Sequence, residues 1–301
     1  MESILVFWNV LFPVLLIFAS GYLLQKIFHL DIKPISTLAV YLLLPLLVFN
    51  TFYTEAIDQS FLYVFLTAII IMLVLIVIVL LIGKIFRFSK SDISVLMLST
   101  VFPNSGNFGI PVVLFAFGHK ALLYGMPIMI IHNVLMGTFG VYFAAKGKGG
   151  LRVAIRTVLS QPANYAVLVG IFMEQMNIHL PATIYQSTQL VGNTAIPIIM
   201  VTLGMQLATV SLKSVPLGRM SLVLLIRLLA SPFIAWGICI LFQLNPLLTD
   251  VVVLMSAMPS AANTTLYAIQ FNAQPKFVSS CTLMTTLVSI LTLTIALNIL
   301  M

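Results

Sequence analysis

The chain has 301 residues, of which 61% are hydrophobic and only 7% charged, with a formal net charge of +7. A water-soluble domain carries about 25% charged residues, so this composition excludes a soluble enzyme and a soluble nucleic-acid-binding module. The apolar runs are helix-length and lack the alternation of a membrane barrel. They predict an all-α polytopic membrane protein whose first partner is the lipid bilayer, and no nucleic acid is expected as a partner.

A hydrocarbon core of about 30 Å needs roughly 20 apolar residues per helix. On that basis the sequence predicts ten spans, at 5–28, 34–53, 61–85, 92–117, 121–145, 161–178, 186–209, 219–243, 248–271 and 276–300. Neither a basic n-region nor a small-residue cleavage site precedes the first, so it is expected to be retained rather than cut as a signal peptide. The connections are short. The longest, around Lys146 to Ser160, includes a stretch from Leu151 to Leu159 expected to lie as an amphipathic helix at the interface. Cys239 and Cys281 fall inside apolar runs and read as small buried hydrophobes, without metal-ligand spacing.

Loop charge predicts orientation. The odd-numbered loops carry Lys26, Lys33, Lys84, Arg87, Lys90, Lys146, Lys148, Arg152, Arg156, Lys213, Arg219 and Lys276. The even loops carry Lys120 as their one basic residue, with Glu55, Asp58, Glu174 and Asp250. The odd loops are therefore expected in the cytoplasm and both termini outside, in a plasma membrane of the bacterial inner-membrane type. The two halves also echo each other. Pro13, Gly21, His29-Leu30 and Pro45 are answered by Pro162, Gly170, His179-Leu180 and Pro197, and Asp92 by Asp250. Five spans per half give the halves opposite orientation. The expectation is a 5+5 inverted repeat, 1–150 and 151–301.

Two spans carry unusual backbone. The fourth contains Pro103-Asn104-Ser105-Gly106-Asn107-Phe108-Gly109-Ile110-Pro111, and the ninth Met258-Pro259-Ser260-Ala261-Ala262-Asn263-Thr264-Thr265. Both hold Pro-x-x-x-Asn. Proline lacks an N–H and clashes with the preceding turn, so Pro103, Pro111 and Pro259 are expected helix breaks. Irregular backbone at membrane depth survives only buried in protein or lining a cavity, and a matched pair in two halves points to a transporter site. A half-helix N-terminus offers unpaired N–H groups and a partial positive charge. An anion such as a carboxylate suits it. Asn104, Ser105, Gly106, Asn107, Ser260, Asn263 and Thr264 are the expected substrate-binding residues, with Asn107 and Asn263 each able to donate an amide N–H. The plain alternative is that the breaks only let two helices cross closely.

Other polar residues inside spans have two readings each. His132 is a coupling group or a structural imidazole bonded to a carbonyl. Arg227, eight residues after Arg219, snorkels towards the cytoplasm or supplies a counter-charge for an anion. Asn50, Thr51 and Gln206 face a cavity or bond between helices. Asp92 and Asp250 read as acidic groups at helix starts. No carboxylate falls at the middle of a span, unlike a cation–proton antiporter of the usual kind. Protease and Walker motifs are absent, so no enzyme, catalytic residue, cofactor or metal is expected.

These residues resemble the auxin efflux carrier family, which includes the plant PIN-FORMED carriers and bacterial transporters. The resemblance is carried by Asn104-Ser105-Gly106-Asn107-Phe108-Gly109-Ile110-Pro111, by Pro259 to Asn263, and by Ile196-Pro197 with Leu203-Gly204-Met205-Gln206-Leu207. It implies a fold similar to bile-acid symporters and sodium–proton exchangers, with broken helices 4 and 9 crossing. Spans 1, 2, 6 and 7 would form a scaffold with a homodimer interface, and spans 3–5 and 8–10 a transport domain. It implies a substrate carboxylate held by crossover asparagines, here Asn107 and Asn263. The segment near Lys146 is far shorter than the plant carriers' central loop, which sets their phosphorylation control aside. The functional expectation is a secondary transporter of a small organic anion, such as malate, malonate or an auxin-like acid, working by alternating access, with coupling to H+ or Na+ open. A ligand-binding membrane sensor and an ion-coupled cation exchanger using the half-helix carbonyls are the alternatives.

Overall fold

A computed structural model describes residues 6–54, 60–145, 150–210 and 217–301. Glu55, Asp58, Lys146, Lys148 and Lys213, used above for orientation, lie outside the described residues. The helices, in chain order, are α1 (Phe7–Phe28), α2 (Ile32–Thr54), α3 (Ser60–Ile85), α4 (Lys90–Thr100), α5 (Ser105–Phe117), α6 (His119–Ala144), α7 (Gly150–Leu159), α8 (Pro162–Gln175), α9 (Ala182–Thr209, interrupted at Asn193 and Thr194), α10 (Leu217–Leu241), α11 (Pro246–Ser256), α12 (Asn263–Gln270) and α13 (Pro275–Leu300). Seven of these, α1, α2, α3, α6, α9, α10 and α13, are long and apolar enough to cross a bilayer. Among the described residues there is no strand. The protein is an all-helical, multi-pass membrane protein.

Helix ends follow local chemistry. Asp31 caps α2, its Oδ1 accepting from Lys33 N at 3.0 Å. Ser89 caps α4, its hydroxyl accepting from Asp92 N at 3.2 Å and donating to Asp92 Oδ2 at 2.8 Å. Pro162, Pro246 and Pro275 open α8, α11 and α13, where a missing N–H costs nothing. Asp250 does not start a helix. Asn245 is the cap of α11, accepting from Leu248 N at 2.8 Å, so Asp250 lies a full turn inside. Pro111 does not break a helix either. It sits second in the α-helical stretch that follows a π-turn at Ser105–Gly109, and α5 runs on through it. A π-turn displaces the hydrogen-bond ladder by one residue, which relaxes the constraint a proline places on the preceding turn.

Packing divides the helices into two groups that meet at α5. In one, α1 lies along α9 and α2 along α8. The α1–α9 contact is backbone on backbone. A Cβ added to Gly21 would stand 2.1 Å from Val201 O, and one added to Gly204 would stand 2.0 Å from Phe18 O. In the other group, α3, α6, α10 and α13 enclose α4 and α11. Every residue from Ser94 to Thr100 in α4, and from Val251 to Ser256 in α11, is buried. A helix covered on all sides needs no polar face, and the only polar side chains in these two segments are the small hydroxyls Ser94, Ser99, Thr100 and Ser256. At the odd-loop end, Arg219 of α10 pairs with Asp92 of α4 and lies 5.2 Å from the Phe277 ring of α13. Gln274 Nε2 also donates to Asp92 Oδ1 at 3.3 Å. The helix expected from Leu151 to Leu159 is present as α7, with Arg152, Ile155, Arg156 and Leu159 exposed and Ala154 buried.

Candidate functional site

The chain is interrupted between α4 and α5 and again between α11 and α12, and the two interruptions lie against each other. Pro103 and Ser260 form an isolated antiparallel bridge. Asn104 N donates to Pro259 O at 2.8 Å, and Ala261 N donates to Phe102 O at 2.9 Å. Each break leaves backbone groups without helical partners, and each break supplies partners for the other. Ser260 completes the joint. Its N donates to Thr285 Oγ1 at 3.1 Å and its Oγ to Ser99 O at 2.5 Å.

The crossing presents two carbonyl ends and two N–H ends, and they are treated differently. The carbonyl ends of α4 and α11 converge on one guanidinium. Arg227 Nη1 donates to Thr100 O at 3.0 Å and Val101 O at 3.3 Å, and Nη2 donates to Ser231 Oγ at 2.5 Å and to Ser256 O. Arg227 is 1% exposed. It does not snorkel. A helix C-terminus carries partial negative charge, and the planar fork of arginine reaches two carbonyl groups at once. Arg227 lies in a π-turn, Leu225–Ala230.

The N–H ends face a cavity of about 70 Å³ lined by Pro103, Asn104, Ser105, Gly106, Asn107 and Asn263, with Asn133 and Gln161 completing its polar wall. Five of the seven expected substrate-binding residues, with the helix-break Pro103, therefore share one space. Ser260 and Thr264 do not line it. Both are fully buried, and the Thr264 hydroxyl donates to Ala261 O at 2.7 Å. Asn104 is 4% exposed, yet its Nδ2 has no hydrogen-bond partner. A buried unpaired amide is costly, and this one borders the cavity, where a ligand oxygen would satisfy it. Asn107 is half-buried and Asn263 exposed.

His132 of α6 reaches the same wall. Its Nδ1 lies 2.5 Å from Ser105 Oγ. On its other side His132 and Arg227 border a space of about 10 Å³ next to Pro103, close to the ~10–15 Å³ that one water needs. Arg227 Nε has no partner. Ser105, His132 and Arg227 thus run from the cavity to the carbonyl ends. Sequence reasoning left Asn133 and Gln161 unassigned, and neither of its readings of Arg227 was the observed bonding to helix-end carbonyls. Asn133 follows His132 directly, and Gln161-Pro162 marks a helix start, so both carried a polar signal at a position facing inward.

The residues named at the outset as facing a cavity or bonding between helices also separate. Asn50 does both, since its Oδ1 accepts from Thr188 Oγ1 at 2.8 Å while the residue lines a second cavity, of about 520 Å³. Gln206 borders neither cavity, and its Oε1 is buried without a partner.

A family model described as membrane transport protein matches the chain twice, over residues 6–154 and 150–297. An uncharacterized transporter of Methanocaldococcus jannaschii is 25% identical over 301 aligned residues, which cover 94% of this chain and 95% of that protein. An uncharacterized transporter of Methanothermobacter thermautotrophicus is 30% identical over 200 residues, 66% of this chain and 65% of its own length.

Proposed function

The chain belongs to the membrane transport protein family, that of the auxin efflux carriers, and from that premise we propose that it is a secondary transporter of a small organic anion. The carrying observation is the asymmetry of the crossing. Its carbonyl ends are bonded to Arg227, while its N–H ends, with the unpartnered Asn104 amide, open on one cavity. The free ends favour negative charge. A cavity of about 70 Å³ suits a compact carboxylate such as malonate or malate better than a large aromatic acid. A cation exchanger would need the carbonyl ends, and those already have a cation.

In this reading α4 with α5 forms one crossing and α11 with α12 another, which with α8 gives ten crossings in two inverted halves. The odd loops face the cytoplasm of the cell whose plasma membrane holds the protein. α1, α2, α8 and α9 are the scaffold, on which a second copy would sit. The remaining spanning helices move as the transport domain, carrying the cavity from one face to the other. Asn104, Asn107 and Asn263 donate to the carboxylate, and Ser105, held by His132, adds a hydroxyl.

Purified protein in liposomes tests this. Saturable uptake of labelled malonate or malate is expected. Asn104→Ala and Asn107→Ala each remove a hydrogen bond to a charged group, which corresponds to about a tenfold or larger rise in KM. Wild-type kinetics in the double variant would sink the site assignment. Running the same liposomes with a proton or a sodium gradient reads which ion, if either, is coupled.

A further inference from the structure

We infer that the cavity of about 520 Å³ at the opposite end of α2 and α6 is a second binding site, selective for a carboxylate that carries an apolar body. Its volume lies within the ~300–1,000 Å³ of small-molecule sites. It is distinct from the crossing cavity. On α2 it takes Leu47 to Thr54, where the crossing cavity takes Val40 and Leu44. On α6 it takes His119 to Leu123, where the crossing cavity takes Met129 to Met136. Phe108 lies between them along α5, packed on Phe18 with ring centroids 5.1 Å apart.

Two donors in the polar wall have protons without an acceptor. Thr188 Oγ1, 2.8 Å from both Tyr185 O and Asn50 Oδ1, lies against the Asn50 amide oxygen, with Nδ2 on the other side. Asn50 is 8% exposed and that Nδ2 has no partner. Tyr185 Oη accepts from Gln189 Nε2 at 2.8 Å, so its own proton is available. Lys120 supplies a full positive charge beside His119. The Thr51 and Thr54 hydroxyls, by contrast, donate to Leu47 O and Asn50 O within their own helix. No acidic side chain among the described residues lines the space. Two free donors beside a cation favour an anion, and the Gln189 and Asn193 amides, which can donate as well as accept, complete the polar wall.

Gly192 lets α9 approach α2 closely behind Asn50, since a Cβ there would stand 2.9 Å from Leu47 N and 3.0 Å from Asn50 Nδ2. Below this polar set the wall is aliphatic, with Leu47, Leu114, Ile196 and Met200. A carboxylate at Lys120, Tyr185 and Asn50 places its hydrocarbon there. Its role, as the resting place of the transported anion on that face, depends on the transport reading above. The binding itself does not.

Radiolabelled butyrate binding to the full-length protein in lipid nanodiscs tests the site. A butyrate component should survive Asn104→Ala with Asn107→Ala, which disable the crossing cavity. Adding Tyr185→Phe or Lys120→Gln should weaken that component about tenfold, Lys120→Arg should restore it, and neutral butyramide should not compete. Tyr185→Phe changes one oxygen, and Lys120 is exposed, so both variants should fold. A surviving component indifferent to both substitutions overturns the inference, as does the loss of all binding in the crossing double variant. Butyrate binding with this pattern in a protein that moves no anion across liposomes would refute the transport reading and leave the site standing.

Discussion

Replacing Arg227 by methionine probes the crossing at its least replaceable point. The guanidinium makes four hydrogen bonds, to Thr100 O, Val101 O, Ser256 O and Ser231 Oγ. Bonds to a charged group contribute about 1.5–3 kcal/mol each. Burying the guanidinium offsets several kcal/mol of that gain. Methionine leaves the carbonyl ends of both α4 and α11 without this donor, in a place water does not easily reach. The net expectation is a loss of about 3–5 kcal/mol, the range for breaking a buried ionic contact, or on the order of 10 °C in melting temperature. Arg227→Lys should fall between, because a compact ammonium has three donors and no planar fork to bridge two helix ends. Thermal unfolding of the purified protein, followed by intrinsic fluorescence in one detergent, reads this order. Methionine melting within about 2 °C of wild type, with unchanged anion uptake, would refute the claim that Arg227 joins the half-helices.

Gly204→Ala places a methyl 2.0 Å from Phe18 O. Since the neighbour is backbone, the α1–α9 contact must open, and a destabilisation of about 1–3 kcal/mol or more is expected in the same melting assay. Gly237→Ala, in α10, meets nothing within 4 Å and should melt as wild type does. His132→Gln removes the imidazole that orients Ser105. It should raise KM for the transported anion about as much as Ser105→Ala does, and the two changes together should be less than additive, as one network requires.

Much of the crossing was legible in the sequence because its cause is local. Pro103 and Pro259 remove N–H groups, and the asparagines that line the cavity follow within a few residues of each. Pro111 looked equivalent but follows a π-turn, a register shift that sequence does not signal. Arg227 was misread for a related reason. Counting eight residues from Arg219 assumes an unbroken α-helix, and the π-turn at Leu225–Ala230 rotates the side chain relative to that count. The Ser260 hydroxyl looked free until Ser99 and Thr285, distant in sequence, were brought against it. The Asp250 reading overlooked a readable signal, since Asn245-Pro246 is a cap followed by a first-turn proline. Asn104 was grouped with its neighbours, and only packing separates its unpartnered amide from theirs.

The glycine contact between α1 and α9 bears on how the protein is made. Val201 and Gly204 are synthesised some 180 residues after Phe18 and Gly21. At about 5–20 residues per second, α1 waits roughly 10–40 s for the helix it must touch. During that interval its glycine face has only lipid or the insertion machinery for company. α2 waits in the same way for α8, where a Cβ on Gly170 would stand 3.0 Å from Phe49 O. Neither half of the chain can complete its own packing, so biogenesis must hold the first half in the membrane, inserted and unfinished, until the second arrives.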